Sequence, residues 1–324
     1  MGSALVDSAS RAGVAPDTLS DVLALVRLHG AVLCTAELTA PWGLRCRGWD
    51  DAAFYFAVRG GCRVEVPGRA PLSLAAGDLL LLAPGRSHVM RDSARSPAVP
   101  FEALQRTLER SDGVARHGGG GAATTLVCGC FELSRSGAEL ILSALPPAVH
   151  LRREVAPANL SRAIEALAGE VTNAQPGARA LLTRLSEVLL IQALRALISR
   201  GMVGVGWLRA LDHAPIARAL AAVHRSPAEQ WTVASLASSA GMSRSAFASQ
   251  FRRLVGQTPL DYVTRWRMRR AAGLLEQGAN NLGEVAAQVG YGSDESFSRA
   301  FSQWAGMTPG AYRRAQRDES RARR

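Results

Sequence analysis

The stretch Leu-Ala-Ser-Ser-Ala-Gly at residues 236–241 is matched by Val-Ala-Ala-Gln-Val-Gly at residues 285–290. The similarity continues downstream, where a Gly-x-Thr-Pro-x-x-Tyr run occurs at 256–262 and again at 306–312. A repeat of this regularity indicates two copies of a single supersecondary unit. Each copy is predicted to form two short helices joined by a tight turn, which is the unit that places a helix in a groove of DNA.

The two copies, at 233–254 and 282–304, carry the residues that such a unit needs. A glycine takes the turn, where a side chain would strain the backbone, and a serine caps the helix that follows. Aromatic and other large apolar side chains recur at helical spacing on the inner face of that second helix. These residues are Gly241, Ser243, Phe247, Phe251 and Leu254 in the first copy, and Gly290, Ser293, Phe297, Phe301 and Trp304 in the second.

The opposite faces of the two second helices are the predicted DNA-binding surface, because small and basic side chains allow close approach to base edges and phosphates. Asp294 and Glu295 have two interpretations: a carboxylate can accept a hydrogen bond from a cytosine amine, or it can complement the positive end of the helix dipole. The predicted DNA contacts are Arg244, Ser245, Ala248, Ser249 and Arg252 in the first copy, and Glu295, Ser298 and Arg299 in the second.

A single helix over 259–275 is predicted to join the two copies. A rigid helix of this kind would set the two recognition helices roughly 34 Å apart, which is one turn of the duplex. They could then enter two successive major-groove segments. The arginines of this helix could reach backbone phosphates, or they could simply be solvated; they are Arg265, Arg267, Arg269 and Arg270.

The charge of the chain is concentrated at the same end. The formal net charge is +11, and every basic residue other than histidine is arginine. Residues 215–324 hold 16 Arg against 8 Asp and Glu, a net charge of +8, whereas residues 1–214 hold 22 against 19, a net charge of +3. This asymmetry favours a polyanionic partner for the C-terminal part, over the alternative of a merely solvated surface.

The front of the chain reads as short strands and turns. Ser20 is predicted to cap a helix over 21–29, a small β-barrel or sandwich is expected over 30–135, and a loop is expected at 110–123. From Gly137 the pattern is helical, and a Leu-rich helix after Pro176 is either domain core or a dimer seam. The predicted fold is therefore α+β. It has a β-rich front domain at 1–135, a helical connector that dimerises at 136–205, and a DNA-binding domain at 216–315.

The repeat resembles the AraC/XylS family of bacterial transcription regulators. The resemblance rests on the Gly-Met-Ser-Arg-Ser-Ala-Phe run at 241–247 and on the later signature from Val289 to Tyr312. It implies an all-helical domain with two helix-turn-helix units, in a protein that is usually an activator recruiting RNA polymerase. In the front domain, Gly77-Asp78, Pro84-Gly85 and His88 look like the second conserved stretch of the cupin barrel, which such regulators often carry as their sensor.

No enzyme, metal or cofactor is expected. Catalytic cupins hold a metal through a His pair, a Glu and a later His, but residues 54–59, where the pair would fall, read Phe-Tyr-Phe-Ala-Val-Arg. His88 alone cannot supply a three-ligand site. Tyr55 and His88 are instead candidates for contacting a sensed ligand, although His88 is also explained as a hydrogen-bonded core residue. Two rival hypotheses remain open: a metal-dependent cupin enzyme fused to a DNA module, and a barrel that senses nothing.

The five cysteines are odd in number and lack metal-finger spacing, which fits reduced thiols in the cytoplasm. Cys128 and Cys130 would lie on one strand face with Cα atoms about 6.6 Å apart, near the limit for a bridge. They are candidates for oxidation, either to sulfenic acid or to a disulfide with another cysteine, or they are small buried apolar residues. No secretory signal or membrane span is predicted. The expected partners are double-stranded DNA, RNA polymerase, a second copy of the chain, and an unidentified small molecule or oxidant.

Overall fold

The chain divides into two units by its internal contacts. The computed structural model describes residues 17–26, 29–103, 114–132, 141, 145–173, 175–204, 206–278 and 281–322. The first unit, here the β-domain, spans Arg27–Gly204. The second unit, here the helical domain, combines Met1–Val26 with Val205–Arg324.

The β-domain is built on two sheets. In the described residues their orders are β11-β6-β3-β10-β1-β9 and β5-β4-β7-β2-β8. The strands are β1 His29–Thr39, β2 Gly43–Cys46, β3 Ala52–Arg59, β4 Gly61–Glu65, β5 Leu72–Ala75, β6 Leu79–Leu82, β7 His88–Arg91, β8 Val99–Pro100, β9 Val114–Gly118, β10 Ala123–Glu132 and β11 Ala148–Leu151. The hydrogen-bonded ladders of this part do not close into a ring, so the predicted β-barrel or sandwich is realised as two facing sheets.

Strand patterning explains the core between those sheets. On β4, Cys62 and Val64 are buried while Arg63 and Glu65 are partly exposed, which is the alternation of a half-buried strand. On β6 every residue is buried, because this strand lies between β11 and β3 and is covered on both faces. The two patterns are typical of a half-buried strand and of a fully buried strand, respectively.

The Gly77-Asp78 pair fixes the turn between β5 and β6. Gly77 has φ +88°, a conformation that favours glycine. The buried Asp78 carboxylate accepts hydrogen bonds from the Ala75 N–H at 3.0 Å, the Arg153 N–H at 2.9 Å and His150 Nε2 at 2.8 Å. One side chain therefore ties the turn to the residues at and just after β11.

Among the described residues, the β-domain also contains two long helices, α2 at Ala158–Thr172 and α3 at Ala178–Ser199. On α2, Leu160, Ile164 and Leu167 lie on one buried face. The Leu-rich helix α3 contributes part of its apolar surface to the domain core and leaves part of it exposed, and the dimer seam remains a prediction. Its Leu189, Leu190 and Leu197 are buried, whereas Leu181 and Val188 remain 47% and 43% exposed.

The first helix, α1 at Thr18–Val26, differs from the prediction. The Ser20 N–H donates to Asp17 Oδ1 at 3.1 Å, so Asp17 caps the helix and Ser20 lies inside it. His29 belongs to β1 rather than to this helix. In the helical domain, α1 packs on the helices Ala214–Arg225 and Pro259–Glu276.

Two strands replace predicted loop and helix in the β-domain. Part of the predicted loop at 110–123 forms β9, which pairs in parallel with β1 and buries Ala115; residues 110–113 lie outside the described residues. After Gly137 the chain is not uniformly helical, because β11 pairs with β6 and buries Val149 and Leu151. Both strands are held by pairing with distant strands, which local patterning does not reveal.

The helical domain contains α1 and the helices that follow the β-domain in the chain. Their bounds are α4 Trp207–Ala210, α5 Ala214–Arg225, α6 Val233–Ala240, α7 Arg244–Val255, α8 Pro259–Glu276, α9 Leu282–Gln288, α10 Asp294–Ala305 and α11 Pro309–Ala322. The two predicted helix pairs and the connecting helix thus occur where the repeat placed them. Within the described residues, no helix is both long enough and apolar enough to cross a membrane.

Candidate nucleic-acid interface and interior of the β-domain

The first helix-turn-helix unit is α6, a turn and α7. A reciprocal capping box starts α6: Thr232 Oγ1 accepts from the Ser235 N–H at 3.0 Å, and Ser235 Oγ accepts from the Thr232 N–H at 2.9 Å. Gly241 makes the turn with φ +65°. Ser243 then caps α7, as predicted, by accepting a hydrogen bond from the first turn of that helix. Local sequence signals therefore specify both ends of the turn.

The second unit, α9 with α10, repeats this design with a different first cap. Asn281 Oδ1 accepts from the Gly283 N–H at 2.9 Å and so starts α9. Gly290 turns with φ +81°, and Ser293 caps α10. The predicted roles of Gly290 and Ser293 are confirmed.

An aromatic trio on the inner face of each recognition helix is nearly identical in the two units. The rings of Phe247 and Phe251 are 5.5 Å apart and inclined at 52°, and those of Phe297 and Phe301 are 5.7 Å apart and inclined at 54°. A tyrosine meets the second phenylalanine edge-on in both units: Tyr262 on Phe251 at 5.8 Å, and Tyr312 on Phe301 at 5.4 Å. The Gly-x-Thr-Pro-x-x-Tyr run thus supplies the third ring of each trio.

The outer faces carry the predicted DNA contacts. Seven of these side chains are polar or charged, and Ala248 is small. Arg244, Ser245, Ser249, Arg252, Glu295 and Arg299 are exposed, and Ala248 and Ser298 are partly exposed. Asp294 and Glu295 lie in the first turn of α10, where carboxylates complement the helix dipole. The structure thus leaves all eight residues exposed or partly exposed, and their contacts with DNA remain predictions.

The arginines of α8 do not form one solvated row. Arg265 and Arg270 are exposed, but Arg269 is 5% exposed. Arg267 Nε donates to the Pro227 carbonyl at 2.7 Å, and its Nη2 donates to the Glu229 carbonyl at 2.7 Å. Neither alternative left open by the sequence, phosphate contact or simple solvation, describes Arg267, which bonds main-chain carbonyls, or Arg269, which is buried.

Arg267 instead fastens α8 to the segment that precedes the first unit. The segment that it holds, 227–229, also packs against Gly290, because a Cβ on Gly290 would lie 2.7 Å from the Ala228 carbonyl oxygen. The Arg267 guanidinium lies 5.8 Å from the centre of the Tyr291 ring. Sequence analysis missed this contact, because nothing in the local pattern distinguishes Arg267 from its arginine neighbours.

In the β-domain, Tyr55 and His88 form a buried hydrogen-bonded chain. His88 Nδ1 lies 3.0 Å from the Arg86 carbonyl, which can only accept, so this nitrogen carries a proton. Burial lowers the pKa of His88, against the opposing effect of that carbonyl, so the ring is neutral. His88 Nε2 then accepts from the Tyr55 hydroxyl at 2.8 Å. Tyr55 is also hydrogen bonded to the Cys46 thiol.

A second polar contact joins two cysteines in the same core. Cys34 on β1 is the register partner of Cys128 on β10, and the two thiols are hydrogen bonded. The bond from Cys128 lowers the pKa of Cys34, while the same bond and burial raise the pKa of Cys128 well above its usual value. Sequence analysis named Cys128 and Cys130 but not Cys34, since strand register was needed to find it. Cys130 is buried two residues along β10.

The described residues contain no group of three or more His, Cys, Asp or Glu side chains that could hold a metal ion. His88 spends both ring nitrogens on protein groups. The polar groups of this core are therefore arranged to bond one another.

Close packing at the second turn gives a stability prediction. We expect Gly290→Ala to lower the free energy of unfolding of the helical domain by about 1–3 kcal/mol, because the new Cβ meets the Ala228 backbone at a positive φ. Chemical denaturation followed by far-UV circular dichroism measures this. The control is Gly292→Ala, where nothing lies within 4 Å of the added Cβ. Equal midpoints for the two variants would contradict the close contact.

Comparison with known proteins agrees with this two-part organisation. A family model described as Cupin matches residues 17–199, and a model described as Helix-turn-helix domain matches residues 236–315. An AraC-like transcription regulator of Streptomyces lividans is 36% identical over 92% of this chain and 98% of its own length. A similarly described protein of Streptomyces antibioticus is 37% identical over 92% and 98%.

A third relative is the RCS-specific HTH-type transcriptional activator RclR of Escherichia coli, which is 29% identical over 92% of this chain and 97% of its own length. These three relatives are named as transcription regulators and not as enzymes. With identity above 35% across nearly its whole length, this chain belongs to the AraC-type DNA-binding transcription regulators, with a cupin domain ahead of its helix-turn-helix domain.

Proposed function

We propose that this regulator reads DNA with both α7 and α10, each seated in one of two successive major-groove segments. The observation that carries the proposal is the matched pair of aromatic trios, which present two outer faces in the same way. Helix α8 supports it: 18 residues at about 1.5 Å each make a rod of roughly 27 Å between the units. The net charge of +8 over 215–324 suits a phosphate-rich partner.

Each unit contributes differently in this proposal. On α7, Ser245, Ala248 and Ser249 allow the helix to approach base edges closely, while Arg244 and Arg252 meet phosphates. On α10, Arg299 and Ser298 contact the duplex, and Glu295 is held near the helix start. The two units then have unequal shares of base and phosphate contacts.

Substitutions on the two outer faces test this arrangement. We expect Arg299→Ala to weaken DNA binding about tenfold, because it removes a charged contact.

Ser249→Glu is expected to weaken binding at least tenfold, since it places a carboxylate against phosphates, whereas Ser249→Ala changes little. Fluorescence anisotropy measures the Kd of the full-length protein for the DNA upstream of its own gene. Arg59→Ala in the β-domain is the control. An unchanged Kd for Arg299→Ala would contradict the proposal that α10 lies in the major groove. Equal effects of the two Ser249 variants would contradict it for α7.

We further propose that DNA binding is controlled by oxidation in the β-domain, with Cys34 and Cys128 as the reacting pair. Cys34 and Cys128 are register partners on neighbouring strands, and the pKa of Cys34 is lowered. In the proposed step the Cys34 thiolate attacks a peroxide oxygen and releases hydroxide or water. The Cys128 sulfur then attacks the resulting sulfenic acid, forms the disulfide and releases water. The RclR relative, named as an activator, supports assigning the resulting change to activation of transcription with RNA polymerase.

One titration tests the thiol proposal. Mild peroxide is expected to create a Cys34–Cys128 disulfide and to change the Kd for upstream DNA or the transcript yield with RNA polymerase at least fivefold. Cys34→Ser and Cys128→Ser should abolish the change, and the control Cys62→Ser should keep it. Burial raises the pKa of Cys62 to about 12, so this thiol stays protonated. Peptide mapping that finds no such disulfide, or DNA binding and transcription unaffected by peroxide, would reject the switch.

We also propose a homodimer formed through α3. Leu181 and Val188 are exposed, and Leu185 lies between them at helical spacing and is only partly buried. This is a narrow apolar stripe of the kind that pairs two helices.

The dimer is tested by charge on that stripe. Leu181→Glu with Val188→Glu is expected to convert the dimer to monomer in analytical ultracentrifugation at micromolar concentration. Leu260→Glu, at an exposed leucine on α8, is the matched control and should leave the dimer intact. A monomeric wild-type protein, or a dimer insensitive to the double substitution, would contradict the proposal.

A further inference from the structure

The helical domain contains a cavity that the DNA-binding function does not use. It measures about 240 Å³ and lies among α1, α5 and α8. Ligand sites are usually about 300–1,000 Å³, so an occupant here would be at the small end of that range. The cavity is unusual in being lined by charged and polar groups as well as by apolar ones, which include Ala24.

The deep wall of the cavity carries two buried polar atoms without partners. His224 stacks on Trp266 with 3.5 Å between ring centres and an interplanar angle of 9°. His224 Nε2 lies 2.7 Å from the Tyr262 hydroxyl, but His224 Nδ1 and Trp266 Nε1 have no hydrogen-bond partner. His224 is 4% exposed. Both atoms have almost no accessible surface, so they lie behind the cavity wall and do not contact its contents.

The outer wall brings charges of both signs together. Asp21 from α1 supplies a carboxylate, and α8 supplies the Arg270 guanidinium. Gln277, just past the end of α8, adds an amide that can both donate and accept. Burial raises the pKa of Asp21 and so disfavours its charged form, while Arg225 and Arg270 act in the opposite direction.

We infer that this cavity binds a small zwitterion of the amino-acid class. The ligand carboxylate pairs with Arg270 in the bidentate geometry that a guanidinium favours, and the ligand ammonium pairs with Asp21. The occupied site would join α1 to α8, the helix that carries both helix-turn-helix units. It is distinct from the cysteine pair, and neither proposal depends on the other.

Binding to the full-length protein tests this inference. Each of the twenty common L-amino acids, at 1 mM, is added in a thermal-unfolding screen, and any that raises Tm is measured by calorimetry. We expect at least one to bind, and we expect its amine-only and acid-only analogues to bind at least tenfold more weakly. A screen without a single stabilising amino acid, or analogues that bind equally well, would overturn the assignment.

Three variants locate the binding. Ala24→Phe fills the cavity from α1 and should abolish binding, and Arg270→Gln should weaken it at least tenfold. Arg209→Gln is the control, because Arg209 is an exposed arginine of α4 that does not line the cavity. Far-UV circular dichroism confirms folding of each variant, and if Ala24→Phe fails to fold the Arg270→Gln result decides. Binding unchanged in the folded cavity variants would place the ligand elsewhere and reject the site.

Discussion

The aromatic trio is the interaction on which the helical domain depends. In each unit the two phenylalanines of the recognition helix are 2% exposed or less, and a tyrosine from the next helix closes the cluster edge-on. Burying three rings supplies most of the driving force available to so short a helix pair, since isolated helices of 7 to 12 residues are marginal in water. The trio also fixes which face of α7 and α10 stays outside. Fold and recognition surface therefore have one cause.

Sequence was sufficient wherever a signal is local and chemical. Ser243 and Ser293 cap their helices because a serine oxygen accepts from the first turn, and the glycines turn because they tolerate a positive φ. The helical period that places Phe247 and Phe297 inside also places Ser245, Ser249, Glu295 and Arg299 on the opposite side of their helices. Each of these inferences needs only a few neighbouring residues, so it was predictable without knowing the rest of the fold.

Sequence failed where the partner is distant along the chain. Strand β9 forms by pairing with β1, Arg267 turns away from solvent to reach carbonyls 38 and 40 residues earlier, and Cys34 is found only through its register with Cys128. Main-chain pairing between strands and hydrogen bonds from arginine are compatible with many local sequences. The local pattern therefore does not show where such contacts form. Asp17 was a different kind of failure. Asp and Ser are both good helix caps, so the local sequence does not decide between Asp17 and the predicted Ser20.

The order of elements along the chain constrains how any signal could act. Helix α1 packs with the helical domain, yet the β-domain follows it in sequence and is in turn followed by the remaining helices. The β-domain is therefore an insertion with two covalent connections to the helical domain. A ligand or modification in the β-domain can shift the equilibrium between the DNA-engaged and the disengaged arrangement of the protein only if it stabilises one of them more than the other. Because coupling is reciprocal, a ligand that holds α1 against α8 must oppose any such signal that acts by releasing α1, and reinforce any that acts by holding it.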